Sequence, residues 1–202
     1  MSFYDGRATG FDPPYDSEIE EIFIWNVIKY LNGRIKIIPQ YEIPTTHGCF
    51  KIDFAIILKD KIVGIECDGK DYHEITRDRW RDAIILNKSN VSDIFRLRGC
   101  DIKYSIEECL YIISWYYPEI FDQKGMDDLM KLIDIELVNE KSFKELLYLY
   151  TIIPISYKKG DQVKRIEIYR HNKKLYDFKR IIELTSSHPS STVDEIYEKY
   201  KE

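Results

Sequence analysis

The feature that most constrains this chain is the stretch Phe50–His73, which predicts two apolar strands joined by a tight turn. Carboxylates fall inside these strands: Asp53 interrupts the first, and Glu66 and Asp68 end the second. Because side chains alternate along a strand, Glu66 and Asp68 are expected to project from one face. A buried carboxylate is costly unless a cation compensates it. The stretch therefore predicts a cation at this end of the sheet, with a divalent metal as the first candidate.

The composition indicates a globular protein. The chain has 202 residues, of which 44% are hydrophobic and 14% aromatic, and this is enough for a substantial core. No apolar run approaches the roughly 20 residues of a membrane span, and the first residues lack the apolar segment of a secretion signal. Four cysteines without a CxxC pair are typical of buried thiols, not of a zinc site or a disulfide framework. We therefore expect a cytoplasmic protein.

Hydrophobic periodicity predicts an α/β protein whose first 118 residues have the order α-β-β-β-α-β-α. We expect an N-terminal arm (1–16), a core with a mixed central sheet (17–118) and a C-terminal α+β extension (119–202). The core begins with a helix from Ser17 that Asn32-Gly33 closes with a left-handed residue, followed by the strand Ile35–Ile43, in which Pro39 marks an edge position or a bulge, and by the strand pair. It continues with the helix Ile75–Asn87, the strand Ser92–Leu97, a break at Gly99-Cys100-Asp101 and the helix Ser105–Tyr117. The predicted C-terminal elements are helices Asp127–Ile135, Ser142–Tyr150 and Thr192–Lys201, and strands Val163–Tyr169 and Lys174–Phe178, which flank the turn His171-Asn172-Lys173. The last helix is expected to have Ser191 or Thr192 as its cap and Glu195 as the partner of the cap.

One acid of the first helix has two interpretations. Ser17 is a good N-cap, and Glu20 three residues later fits a capping box. On a helical wheel, however, Glu20 lies on the apolar face between Val27 and Leu31, where an acid could reach a metal at the sheet. The sequence leaves both roles open.

The charged residues follow one another in an order that resembles a known nuclease family. Asp53 and Glu66-Cys67-Asp68-Gly69 are followed by His73, by Asp78-x-x-Arg81-Asp82 on a helix, and by Phe95-Arg96 on a strand. This order resembles the PD-(D/E)xK nuclease superfamily, and within it the very-short-patch-repair (Vsr) endonuclease-like branch. The resemblance extends from about Ser17 to Ile102, half of the chain.

The resemblance implies a restriction-endonuclease-like core and metal-dependent hydrolysis of phosphodiester bonds in DNA, in repair, restriction or mobile-element defence. Asp53 and Glu66 would hold Mg²⁺ or Mn²⁺ together with the carbonyl oxygen of Cys67, and Glu20 matches the acid on the family's first helix. These residues would form the catalytic centre.

The sequence departs from the superfamily at the lysine that lies two residues after the glutamate. That position is Asp68, as in the branch that the chain resembles, and it adds negative charge to a site that must accept a phosphate. Proton transfer must then come from another side chain. His73 and Lys70 are the nearest candidates, and the choice between them stays open.

Several cations are candidates for substrate binding, although the formal net charge of −5 argues against nucleic acid when only the total is considered. An unpaired guanidinium in the apolar strand around Arg96 would be costly, so Arg96 must pair with an acid or with a phosphate. A basic, aromatic-rich segment (155–180) could follow a phosphate backbone, or could simply be a solvated hairpin face. The predicted substrate-binding residues are Arg77, Arg81, Arg96, Lys173 and Lys174.

Two other functions remain open on the sequence. One is a catalytically silent module that binds nucleic acid or a protein on the same fold, and the other is an RNA-cleaving, toxin-like nuclease. Retention of Asp53, Glu66 and His73 argues against a silent module, because unused buried acids are costly. A nuclease that cuts both strands commonly needs two active sites, which makes a homodimer the assembly to test, although no heptad pattern indicates one.

Overall fold

The computed structural model describes residues 14–69, 75–133, 152–159, 162–174 and 176–200. The described elements, in chain order, are α1 (Glu18–Val27), β1 (Lys36–Thr45), β2 (Gly48–Ile57), β3 (Ile62–Asp68), α2 (Ile75–Lys88), β4 (Val91–Arg98), α3 (Gly99–Ser114), a 3₁₀ turn (Pro118–Ile120), α4 (Gln123–Leu132), β5 (Ile152–Lys159), β6 (Gln162–Asn172), α5 (Tyr176–Ser187) and α6 (Val193–Tyr200). The predicted order of the first seven elements is confirmed.

The strands form one six-stranded mixed sheet with the order β1-β2-β3-β4-β6-β5. The first three strands form an antiparallel meander, and the α2 crossover makes β4 parallel to β3. The hairpin of β5 and β6 then extends the sheet, with β6 antiparallel to β4. The prediction of an α/β fold with a mixed central sheet flanked by helices is confirmed.

Helices cover both faces of the sheet, and each face has its own apolar cluster. On one face, α1 and α3 pack over a cluster that includes Phe23, Phe54 and Phe95. On the other face, α2, α5 and α6 pack over a cluster that includes Trp80 and Phe178. Because residues of α5 and α6 belong to the second cluster, the segment beyond 118 completes the same sheet and core as the segment before it.

The structure corrects several predicted boundaries. Helix α1 ends at Val27, before Asn32-Gly33, and neither of those residues has a positive φ. Helix α3 begins at Gly99, where we expected a break, and it is kinked at Ser105 (φ −155°), where we expected the helix to start. The helix expected to end at Ile135 ends at Leu132, and the predicted helix Ser142–Tyr150 lies outside the described residues.

The largest error concerns the segment Lys174–Phe178, which we predicted as a strand. It contains the turn after β6 and the start of α5, whose residue Phe178 is fully buried against the sheet. Strand β5 was not predicted. By contrast, the predicted cap of the last helix is confirmed, since the N–H of Glu195 donates to Thr192 Oγ1 (3.2 Å) and the N–H of Thr192 donates to Glu195 Oε2 (2.9 Å). Within the described ranges, every helix is too short or too polar to cross a membrane.

Candidate functional site

The two acids that the sequence singled out in the strand pair face each other where β2 and β3 separate. The last rung of this ladder joins Phe54 to Ile65, so the next rung would place Asp53 opposite Glu66. Both described strands continue past this point without pairing to each other. Instead, the N–H of Cys67 donates to Asp53 Oδ2 (2.7 Å). The predicted carboxylate pair is therefore brought together at a local opening in the sheet.

Burial makes both carboxylates hard to ionise, and the charge of Glu66 adds to this effect at Asp53. Glu66 is 5% exposed and Asp53 is half-buried. Desolvation, followed by the charge of Glu66, raises the pKa of Asp53 to about 8. Desolvation also raises the pKa of Glu66 to about 7, although Arg81 acts in the opposite direction. A cation placed between the two groups would remove most of this cost.

Glu20 belongs to the helix cap, as the first of its two interpretations predicted, and its charge also acts on the carboxylate pair. Its backbone N–H donates to Ser17 Oγ (3.3 Å), and its carboxylate accepts from Ser17 Oγ (2.8 Å) and from the N–H of Asp16 (3.1 Å). The side chain is only 3% exposed, and its charge contributes to the raised pKa of Asp53. Glu20 therefore lies within electrostatic range of the carboxylate pair.

Gln40 is a member of this site that sequence reasoning missed. Its Nε2 donates to Glu20 Oε2 at 2.7 Å, from the edge strand β1. Its φ of 48° is left-handed, which costs an L-residue about 1–2 kcal/mol. Pro39 did indicate an irregularity at this edge, but nothing in the sequence selects glutamine for a conformation that glycine or asparagine adopts more easily.

Arg81 holds Glu66 in place from the neighbouring helix. One of its terminal nitrogens lies 2.7 Å from Glu66 Oε1 and also donates to the carbonyl oxygen of Lys51 in β2. The Arg81 side chain is 22% exposed. The guanidinium thus bridges β2 and β3 at the point where their ladder ends, so Arg81, predicted as a substrate-binding residue, has protein partners here.

Arg96, also predicted to bind substrate, is the centre of a buried ion-pair network. Its Nε and one terminal nitrogen donate to both oxygens of Asp68 (2.9 and 2.8 Å), and it also pairs with Asp78 (3.1 Å) and Asp82 (3.0 Å). It is 4% exposed, which places it away from a phosphate in solution. The sequence predicted that Arg96 pairs either with an acid or with a phosphate, and in the structure its partners are acids. This network and the contact of Arg81 with Glu66 confirm that Asp68 and Glu66 project from the face that α2 covers.

His171 joins the same network from the C-terminal strand β6. Its Nδ1 lies 2.7 Å from Asp82 Oδ2, and both residues are almost fully buried. Burial acts to raise the pKa of Asp82, but Arg96, His171 and Arg81 together hold it well below its usual range. The sequence predicted His171 in a turn and did not predict this contact. The contact joins residues that lie 89 positions apart, so it leaves no local signal in the sequence.

The remaining predicted residues are distributed more widely. Arg77 is 53% exposed in α2 and forms an ion pair with Asp194 of α6 (2.7 Å). Lys173 and Lys174 are exposed just after β6, and Lys173 Nζ lies 3.4 Å from the carbonyl oxygen of Ser89. Since Asn172 pairs with Asp93 near the start of β4, these lysines lie at the end of the sheet opposite to Asp68. The structure does not bring them to the carboxylate pair.

Two predicted catalytic residues, Lys70 and His73, lie outside the described residues. Among the described ones, no group of three or more His, Cys, Asp and Glu side chains surrounds a common point in a geometry ready for a metal. The site is thus a two-carboxylate centre with Glu20 nearby. Comparison with protein-family models, curated proteins and solved structures finds no match to this chain.

Proposed function

We propose that this protein is a metal-dependent endonuclease that hydrolyses phosphodiester bonds in DNA, on a restriction-endonuclease-like core of the PD-(D/E)xK type. The observation that carries the proposal is the position of Asp53 and Glu66 on adjacent strands where their ladder opens. The order α-β-β-β-α-β of the core and the resemblance of its charged residues to the Vsr-like branch support it further. A cytoplasmic location belongs to the same proposal.

The donor set fits Mg²⁺ or Mn²⁺. Both ions prefer hard oxygen ligands, and Mg²⁺ is commonly held by one or two carboxylates while it keeps several waters. Cys67 and Arg81 each occupy one oxygen of a carboxylate, and the other oxygens, Asp53 Oδ1 and Glu66 Oε2, accept no hydrogen bond from the described residues. Asp53, Glu66 and the Cys67 carbonyl would then hold the ion.

The chain's own residues would hold and orient this centre. When bound, the metal would polarise the scissile phosphate and lower the pKa of the attacking water. Arg81 keeps Glu66 aimed at the opening of the sheet, and Arg96 neutralises Asp68 where the superfamily carries lysine. Proton transfer is assigned to His73 or Lys70, between which the choice stays open.

The proposed substrate is DNA, and Arg77, which is half-exposed one helical turn before Arg81 in α2, is proposed to contact a phosphate. Because Arg96 is buried among acids, we assign it to the support of the site and not to the substrate. Contact by Lys173 and Lys174 would need DNA that extends to the opposite end of the sheet. A homodimer is proposed only for cleavage of both strands.

The test is a cleavage assay on plasmid DNA and on RNA with Mg²⁺ or Mn²⁺, repeated with Asp53→Ala and Glu66→Ala. We expect metal-dependent DNA cleavage that each substitution reduces at least about 100-fold, because each removes a ligand of the reacting centre. Asp60→Ala, at an exposed acid of the β2–β3 turn, is the matched control and should cut like the wild type.

Binding of DNA without metal-dependent cleavage would overturn the enzyme and leave the silent binding module. Cleavage of RNA but not of DNA would identify a ribonuclease. Cleavage that survives both substitutions would place the active centre elsewhere in the chain.

A further inference from the structure

Gln40 has a backbone conformation that its residue type does not favour. Among the described residues it is the one non-glycine residue with positive φ (48°), and it lies in edge strand β1, where no tight turn demands this geometry. Such a conformation persists only where surrounding contacts maintain it. The contact that Gln40 makes is therefore the feature to explain.

The unusual backbone lies beside a predicted metal ligand. Gln40 falls between the rungs Pro39–Phe54 and Tyr41–Ile52, which places it on the rung of Asp53. In a regular strand, two residues three positions apart point to opposite faces of the sheet. Ile52 and Ala55 are three positions apart, yet both belong to the apolar cluster under α2, so the alternation of side chains is interrupted between them. The irregularity thus affects both strands at the position that carries Asp53.

The side chain of Gln40 connects this rung to α1. Its Nε2 donates to Glu20 Oε2 at 2.7 Å, while the cap residues Asp16 and Ser17 hold the same carboxylate from the helix side. Glu20 is 3% exposed, so water can do little to orient it. A neutral amide fixes the carboxylate without cancelling its charge, whereas Arg81 forms an ion pair with Glu66.

On the basis of the proposed metal-dependent function, we propose that Gln40 is a positioning residue that holds Glu20 toward the Asp53–Glu66 centre, so that the affinity for a divalent cation depends on it. The left-handed backbone directs the amide from the edge strand to the helix acid. Gln40 acts through Glu20 and makes no contact with the metal itself. It thus fixes the negative charge of Glu20 beside the ion, much as outer-shell partners fix ligating groups in other metal sites.

The test compares Gln40→Gly with the wild type by calorimetric titration of Mn²⁺ and by thermal unfolding without metal. Glycine adopts positive φ without strain, so the melting temperature should be unchanged or higher. The dissociation constant for Mn²⁺ should rise roughly 10- to 100-fold, the usual effect of losing an outer-shell partner. The matched control is Gln123→Ala in α4, because glycine at this helical position would itself destabilise the protein. The affinity of this control for Mn²⁺ should equal that of the wild type.

A double-mutant cycle separates positioning from a merely structural role. If Gln40 acts through Glu20, then Gln40→Gly should not weaken Mn²⁺ binding further in a Glu20→Gln background, and the two effects should be non-additive. Gln40→Asn, which also tolerates positive φ but has a shorter reach, should lose affinity with little loss of stability. Unchanged affinity in both Gln40 variants, or loss of affinity only together with stability, would overturn the role of Gln40.

The outcomes distinguish this inference from the proposed function. Wild-type protein that binds no Mn²⁺ would overturn both. Wild-type binding that is lost in Asp53→Ala but kept in Gln40→Gly would leave the metal centre standing and remove Gln40 from it.

Discussion

At the scale of single residues, the site depends on how buried charges are paired. Arg96 contacts three carboxylates, those of Asp68, Asp78 and Asp82, and the last of these is fully buried. Such a network contributes less stability than its short distances imply, because every member had to leave water. Removing Arg96 is nevertheless severe, since among the described residues the fully buried Asp82 would keep only His171 and Arg81 as cationic partners.

Substitution of Arg96 by alanine tests this asymmetry. We expect Arg96→Ala to reduce the free energy of unfolding by about 3–5 kcal/mol, measured by urea denaturation. Arg34→Ala, at an exposed arginine after α1, should change it by less than about 0.5 kcal/mol. A loss below about 1 kcal/mol for Arg96→Ala would mean that the three acids are protonated or rehydrated once the guanidinium is gone.

At the scale of elements, the docking of α4 supports the helix that carries Glu20. Asp122 caps α4 through a hydrogen bond from the N–H of Gly125 (2.6 Å), and the N–H of Asn32 donates to the carbonyl oxygen of Ile120 (2.9 Å). Helix α4 therefore lies against the turn that follows α1. Gly125 is the point of closest approach, since a Cβ there would lie 2.3 Å from the carbonyl oxygen of Tyr30.

This close approach makes Gly125→Ala informative. The obstructing atom is backbone, so α4 must move, and we expect a loss of about 1–3 kcal/mol in the free energy of unfolding by thermal denaturation. Gly33→Ala is the matched control, because a Cβ at Gly33 meets no atom within 4 Å and its φ is not positive. Equal stability of the two variants would show that α4 docks loosely.

At the scale of the whole molecule, stability should depend on pH through two groups of carboxylates with opposite signs. The folded pKa of Asp53, about 8, exceeds its ordinary value of 3.8, so its contribution is complete below pH 3.8 and is lost as the pH rises toward 8. Glu66, raised from 4.5 to about 7, acts in the same direction. The pKa of Asp82 is lowered, so its contribution is present above 3.8 and is lost as the pH falls below that value.

The measurement is thermal unfolding from pH 5 to pH 8 in buffer with a chelator. We expect wild-type stability to fall across this range by up to about 1.4 kcal/mol per pH unit for each raised carboxylate. Asp53→Asn should flatten the slope and raise the melting temperature at pH 8, since an amide can keep the Cys67 hydrogen bond without a charge. Asp60→Asn should keep the wild-type slope, and an unchanged slope in Asp53→Asn would show that Asp53 ionises normally.

Local signals account for what the sequence predicted correctly. Apolar alternation located β2 and β3, and the carboxylates that break it, Asp53 and Glu66, do lie on facing strands. The wheel position of Glu20 predicted its burial, and the Thr192-x-x-Glu195 spacing predicted a capping box. Each of these depends on residues within a few positions of one another, where periodicity and side-chain chemistry act directly on the backbone.

The sequence by itself determined the order of the first seven elements and the carboxylates at the end of the strand pair. Only the tertiary structure decided which groups surround them. The pairing of His171 with Asp82 and the contact from Gln40 to Glu20 depend on which strands become neighbours in the sheet. Likewise, the segment around Phe178 is helical and buries its ring in the apolar cluster under α2. Burial and pairing between distant residues override local propensity, and such contacts leave no pattern along the chain.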